Sequence, residues 1–321
     1  MRTALAIAAS LAITGAATAA EPIRLGMPVD CVPGETCFVQ KYVDVDPTEG
    51  MSDYLCGHMT NDGHKGTDFR PLMGETFDVI APADGTMLRG RDGVPNRDFS
   101  EPLNVDSRMA CGNGVILDLG GGWQSQICHL EPGSLRVRPG QALKKGDVIG
   151  VAGASGLVDF RHVHVQYMKD GKVIDPFTGL VQGEAACGDM GTPLWDEATA
   201  AAMKNVGETH IIALGFNDAP VTIDMIENGR TNQTIKPGAG AFVAYGLAIG
   251  VEEGDEQRLV LKGPGFDIDN TEAVDRPMAQ SMRFGGRRLK DGLEPGTYEA
   301  RMEIVRDGAV ISARDASITI D

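Results

Sequence analysis

The sequence predicts an all-β protein of two units behind a cleavable leader, and three features carry that prediction. Glycine and proline are abundant, 42 and 17 in 321 residues, and they break the chain at the short intervals at which strands turn. Between the breaks, runs of alternating or β-branched residues recur from His64 to the C-terminus. Helical periodicity is scarce, and the best helix candidate is one Ala-rich stretch, DEATAAAMKN from Asp196.

The elements follow in order. Residues 1–20, MRTALAIAASLAITGAATAA, hold one arginine, an uncharged apolar run and a small-residue end before Glu21, the layout of a secretory signal peptide. No cysteine stands at the expected cleavage point, so lipid attachment is not indicated there. No later stretch approaches the roughly 18 uninterrupted apolar residues of a membrane span. Residues 21–60 read as an irregular, disulfide-tied lead-in, and a candidate cover for whatever groove follows.

Residues 61–190 form an antiparallel unit. Its strand signals are FDVIAP, GTMLRG, GVILDLG, WQSQICHL, DVIGVAG, HVHVQYM and KVIDP. The breaks between them are turn chemistry, as at Asp84-Gly85, Pro139-Gly140 and Asp170-Gly171. The polar, aperiodic stretch from Arg91 to Ala110 reads as a long surface loop between strands. Residues 191–205 make a linker with the short helix. Residues 206–321 then carry seven strand signals, HIIALGF, VTIDMIEN, AFVAYGLAIGV, QRLVLKG, SMRFGG, TYEARMEIV and ISARDASITI, with an Asp307-Gly308 turn between the last two. About seven strands in some 110 residues is the pattern of an immunoglobulin-like sandwich.

A formal net charge of −16 argues against nucleic acid and anionic lipid surfaces as partners. Six cysteines behind a signal peptide indicate disulfides in an oxidising compartment, periplasmic or secreted. Two local pairings are favoured: Cys31 with Cys37 around a Pro-Gly loop, and Cys111 with Cys128 across the ends of one hairpin. Sequence alone does not fix the connectivity.

The chemistry concentrates in three motifs. In RHVHVQY, strand alternation puts His162 and His164 on one face. In GHKGTDF, Gly66 and Phe69 disfavour a helix, and an extended path puts His64 and Asp68 on a common face. In ICHL, a strand ends on His129. Two imidazoles and a carboxylate that leave a fourth position to water make an open zinc site. Zinc lowers the pKa of that water to about 7, and the two remaining histidines are placed to move protons and stabilise charge. A purely structural zinc site would fill all four positions and favour cysteine, whereas these cysteines lie outside the histidine motifs. His58 and His210 read as ordinary surface or core residues.

These segments resemble the lysostaphin-type (LytM-like) zinc endopeptidases, which pair an H-x-x-x-D segment with a later H-x-H and an isolated histidine between them. GHKGTD, CHL and HVH occur here in that order, with the hairpin VRPGQALKKGDVIGVAGASG before H-x-H and the DGKVIDP strand after it. The resemblance spans His64 to Pro176. It implies an antiparallel β-sheet peptidase domain holding one Zn2+ through His64, Asp68 and His164, with His129 and His162 as the catalytic pair. It also implies hydrolysis of amide bonds in peptidoglycan peptides, most plausibly as a crosslink endopeptidase. A second reading is a non-catalytic LytM-like module that activates or scaffolds another cell-wall hydrolase. In either case the C-terminal domain is expected to position the protein on a cell-wall partner or on the wall.

Two departures qualify the resemblance. The loop from Arg91 to Ala110 is longer than the usual short turn and is expected to reshape the substrate groove. Cys128 directly precedes His129, and alternation would turn it away from the metal, which makes it a disulfide partner rather than a ligand. The hairpins APADGTMLRG and VRPGQALKKGDVIG also resemble those of biotinyl and lipoyl carrier domains. A carrier, however, needs a modifiable lysine at a tight turn and explains none of the histidines.

Overall fold

The computed structural model describes residues 23–205, 209–231 and 234–321; the expected leader lies outside them. The N-terminal unit contains β1 (Cys37–Lys41), β2 (Thr67–Pro71), β3 (Asp78–Ile80), β4 (Gly85–Arg91), β5 (Gly114–Gly120), β6 (Trp123–Cys128), β7 (Ala142–Leu143), β8 (Val148–Val151), β9 (Val163–Lys169) and β10 (Lys172–Ile174). The main sheet runs β1-β2-β9-β6-β5-β4-β7, with β10 paired to β9 and a small β3-β8 ribbon beside it. Alternation sorts its residues. Val115, Leu117, Ile127, Val163, Val165 and Tyr167 point inward and are fully buried with Val79 and Ile149 of the ribbon. Burial of each such side chain contributes roughly 1.5–3 kcal/mol. His164, Gln166 and Gln126 lie between them on the outer face.

Turn chemistry closes the hairpins. Asp170 and Gly171 have φ of 50° and 81°, the paired positive values of a two-residue type I′ turn, and they join β9 to β10. Asp307 and Gly308 do the same at 52° and 78° for the last hairpin of the chain.

The lead-in is not irregular throughout. Its CFVQK segment is β1, an antiparallel neighbour of β2. All five of its residues are buried, because one face meets the core and the other meets the C-terminal unit, so no alternation marks it in the sequence. Cys31 pairs with Cys37 and Cys111 with Cys128, as expected, and Cys56 pairs with Cys187 across 131 residues.

The linker carries α1 (Glu197–Ala202), capped by the Asp196 side chain accepting from Thr199 N at 2.7 Å. The C-terminal unit contains β11 (His210–Asn217), α2 (Ile223–Glu227), β12 (Ala241–Val251), β13 (Glu256–Gly263), β14 (Phe266–Ala273), β15 (Met278–Arg288), β16 (Gly296–Arg306) and β17 (Ala309–Ile320). Two sheets, β11-β12-β15 and β14-β13-β16-β17, enclose a layer that includes Phe242, Leu261, Phe266 and Tyr298. The first, second and fifth strands thus face the other four, an immunoglobulin-like order. Tyr298 in β16 donates its hydroxyl to Glu294 O at 2.8 Å, the tyrosine corner of such sandwiches.

The strand count holds, but its membership changes. VTIDMIEN forms α2 rather than a strand: Thr222 caps it by accepting from Met225 N, and two consecutive residues, Ile226 and Glu227, are buried, which no strand face would bury together. FDIDNTEA, unassigned from sequence, is the edge strand β14. Its outward exposure from Asp267 to Ala273 leaves no apolar alternation to read.

The C-terminal unit covers the outer face of β1 and β2. Phe38 is buried with Ile212, Leu247 and Ile249, and Arg70 pairs with Glu227 at nearly zero exposure. Gln40 donates to Gln280 at 3.1 Å. The same face of β9, β6, β5 and β4 stays open.

Candidate metal centre and active site

Strand register brings the distant motifs together. Asp68 in β2 lies opposite His164 in β9, which lies opposite Cys128 in β6. His64 precedes β2 and folds back over it. The result is a compact donor set: His64 Nε2 lies 3.1 Å from Asp68 Oδ1, His164 Nδ1 lies 2.9 Å from the same oxygen, and the two nitrogens are 3.2 Å apart. A tetrahedron with bonds of about 2.0–2.1 Å has edges of roughly 3.4 Å, so three protein donors at these separations fit a zinc-like ion with one position to spare. The donor set, two imidazoles and a carboxylate, also suits that class of ion. This cluster of His64, Asp68 and His164 is the candidate metal group among the described residues.

Backbone carbonyls aim the imidazoles. His64 donates Nδ1–H to Tyr42 O at 2.6 Å, which leaves the Nε2 lone pair for the metal. His129 donates Nδ1–H to Ser155 O at 2.8 Å, and His162 donates to Phe160 O at 2.8 Å, so both present Nε2 to the cleft. His129 and His162 stand with ring centroids 4.7 Å apart, and His162 Nε2 is 3.5 Å from Asp68 Oδ2. All five predicted residues converge. His58 instead faces Glu252 at 3.5 Å, and His210 packs on Phe38.

Burial and charge set the protonation of the group. Burial holds the His129 imidazolium well below its usual range, and the neighbouring His162 and His164 reinforce the shift. Burial likewise lowers His162 against the pull of Asp68. Both are neutral near pH 7, each with a free Nε2 lone pair, the state a proton acceptor needs. Burial alone would raise Asp68, but the attraction of His162 and His64 in their protonated forms at acid pH and the hydrogen bonds from His164 and His64 hold it well below the carboxylate range. It is therefore an anionic donor in the candidate metal group. Burial would depress His64, and Asp68 and the Tyr42 carbonyl raise it instead.

Several supporting residues carry no sequence signal. Gly66 is needed because a Cβ there would sit 2.6 Å from both Cε1 and Nε2 of His164 and 2.7 Å from Val165 O. Asn113 donates to Leu130 O and Val94 O and accepts nothing from the histidines, yet its N–H meets Ser155 Oγ at 2.9 Å. It thereby fixes the loop whose carbonyl holds His129. Lys41, 2.8 Å from Asp159 Oδ2, lines the cleft from the lead-in. The lead-in thus supplies a wall rather than a cover, and the cleft, about 450 Å³, stays open over the histidines. The long loop contributes Leu103 and Ala110 to its rim, as its length suggested.

Cys128 is a disulfide partner, but not through alternation. β6 ends at Cys128 and His129 adopts φ 69°, a left-handed conformation that turns its ring over the cleft beside the disulfide.

Residues 62–176 match the model of peptidase family M23. This segment is similar to the peptidases of family M23. A protein of Haemophilus influenzae described as an uncharacterized metalloprotease is 32% identical over 123 residues, 38% of this chain and 22% of the relative. The chain therefore spans about a fifth of that relative's length. A zinc-containing peptidase from Vibrio cholerae is 20% identical over 47% of this chain and 40% of its own, with a TM-score of 0.28. A chain of the SpoIIIAH–SpoIIQ complex is 24% identical over 48% of this chain and 97% of its own, with a TM-score of 0.34. The M23 segment coincides with the sheet that carries all five site residues. No helix among the described residues is long and apolar enough to cross a membrane, and the three disulfides accord with an oxidising compartment.

Proposed function

We propose that this chain is a periplasmic or secreted zinc peptidase that hydrolyses amide bonds in peptidoglycan peptides, as a crosslink endopeptidase. The observation that carries the reading is the division of the five residues. Three donor atoms lie within 3.2 Å of one another, and two neutral imidazoles anchored by their Nδ1–H stand beside them with free Nε2 atoms.

His64, Asp68 and His164 would hold the ion, which supplies Lewis acidity and a water of lowered pKa when bound. His129 and His162 accept and return protons at Nε2, and as imidazolium they stabilise charge developing on the scissile carbonyl oxygen. Ser155 O and Phe160 O keep those rings from rotating away, and Tyr42 O does the same for His64. The sandwich, on this reading, orients the peptidase on the wall or on a cell-wall partner.

The test combines metal analysis of purified protein with muropeptide profiles before and after incubation. His164→Ala is expected to lose both metal and activity, whereas His129→Ala and His162→Ala keep the metal and lose about 10²–10⁴ in turnover. Equal metal loss in all three would overturn this assignment. Stoichiometric metal with no cleavage of any peptidoglycan peptide would favour the non-catalytic module instead.

A further inference from the structure

The cleft does not end at the histidines. Register places Arg91 of β4 opposite Gly114, which is opposite Cys128, His164 and Asp68 in turn. In the next row on the same face, Arg89 lies opposite Ile116, Gln126 and Gln166. Arg89 and Arg91 therefore stand on the same outer face as the metal ligands, three strands from β9. The long loop brings a third cation: Arg108 O accepts from both terminal nitrogens of Arg91 at 3.3 Å.

These arginines line a hollow of about 290 Å³ that shares Cys111 and Gln126 with the catalytic cleft. Its charged lining is three guanidiniums and no carboxylate, in a chain of 45 acidic and 29 basic residues. Asp106 pairs with Arg108 at the solvent edge. Among the described residues no carboxylate pairs with Arg89 or Arg91; Arg91 spends one N–H of each terminal nitrogen on Arg108 O and Arg108 is held by Asp106, so Arg89 and the remaining N–H groups of Arg91 are the donors left for a carboxylate. A local reversal of charge, continuous with the cleft, is what a subsite for an anionic group requires.

We propose that this hollow is a second binding subsite, which takes a carboxylate of an acidic peptide whose scissile amide lies at the histidines. The proposal rests on the peptidase reading and adds the substrate's charge. Guanidinium forks match carboxylates in a bidentate geometry that an ammonium does not offer. Three strand spacings of about 4.8 Å separate β4 from β9, roughly 14 Å, which about four residues of extended peptide span. Because both ends sit on one hydrogen-bonded sheet, that separation is fixed. The enzyme should therefore select peptides with a carboxylate about four residues from the cut bond.

The experiment uses the full chain with its metal and two peptides that differ only in a Glu or Gln about four residues from the scissile amide. Wild type is expected to cleave the Glu peptide with kcat/KM about tenfold higher, mainly through KM, and to lose that preference at high salt. The double variant Arg89→Gln, Arg91→Gln should treat both peptides as wild type treats the Gln peptide. Equal kcat/KM for the two peptides in wild type, or a preference that survives in the variant, overturns the subsite. If no peptide is cut, the peptidase reading fails separately, and fluorescence anisotropy of the labelled peptides decides the subsite. Tighter binding of the Glu peptide that the double variant abolishes upholds it, and equal binding overturns it.

Discussion

Replacing Glu227 by Gln should destabilise the protein by about 3–5 kcal/mol, the loss typical of a buried ion pair that keeps one charged partner. Glu227 and Arg70 have side-chain exposures of 1% and 0%. Besides Glu227, which Nη2 meets, Arg70 reaches neutral groups: Gln40 Oε1 and Gln280 Oε1 from Nη1, at 2.5 and 3.0 Å, and Met73 Sδ from Nη2, at 3.2 Å. Burial already lowers the Arg70 pKa against the opposing pull of Glu227, so removing the carboxylate charge leaves a buried cation with no paired counterion and only the through-space charge of Asp159. The effect should reach the active site. Glu227 Oε2 accepts from Arg161 N at 3.2 Å, Arg70 lies over the Phe160 ring at 5.0 Å, and Phe160 O anchors His162. Equilibrium urea denaturation measures the stability, and turnover of the folded variant at saturating substrate measures the second effect, with metal content unchanged. The double variant Arg70→Met, Glu227→Met removes both charges and should recover most of the stability. A loss below about 1 kcal/mol for Glu227→Gln, or a double variant less stable than the single one, would refute the argument.

Other outcomes follow from particular contacts. Gly66→Ala forces a Cβ against His164 and the Val165 carbonyl and should weaken metal affinity about tenfold or more, by competition with a chelating dye. Asn113→Ala removes the bonds to Val94 N, Val94 O and Leu130 O, leaving Leu130 O to Ser155 Oγ alone, and should cost about 1–3 kcal/mol in denaturant titrations. Burial, opposed by hydrogen bonds from Phe177 and Thr178, raises Asp175 to about 6. Its folded pKa exceeds its unfolded value, so its charge costs stability above about pH 6, and that cost disappears as pH falls toward 4. Wild type should therefore gain about 2.4 kcal/mol relative to Asp175→Asn between pH 7 and pH 4, and a pH-independent difference would contradict the buried carboxyl.

The parts of the site that side chains encode were readable before any coordinates. His162 and His164 follow from strand alternation, and GHKGTD and CHL supply the rest of the five because their spacing and order survive folding. What holds them was not readable. Tyr42 O, Ser155 O and Phe160 O are main-chain acceptors, and any residue type offers one. Lys41 and Glu227 approach the site from positions more than 20 and 60 residues outside the motifs, through tertiary contact alone. The misassignment of VTIDMIEN has the same origin. Its β-branched residues favour a strand locally, and the Thr222 cap together with burial against β1 and β2 decides otherwise. Likewise β14, solvated on most of its length, offers a sequence reading nothing but polar residues.

The Cys111–Cys128 bond ends one residue before His129, whose backbone takes an unusual left-handed turn to bring its ring over the cleft. A residue proposed to move protons is thus placed at the end of a staple that only an oxidant closes. A freshly synthesised chain in a thiol-rich interior would lack that brace, leaving the Ser155 carbonyl to hold the ring. On the proposed reading, the bond that forms in an oxidising milieu is also the one that braces a residue of the reaction.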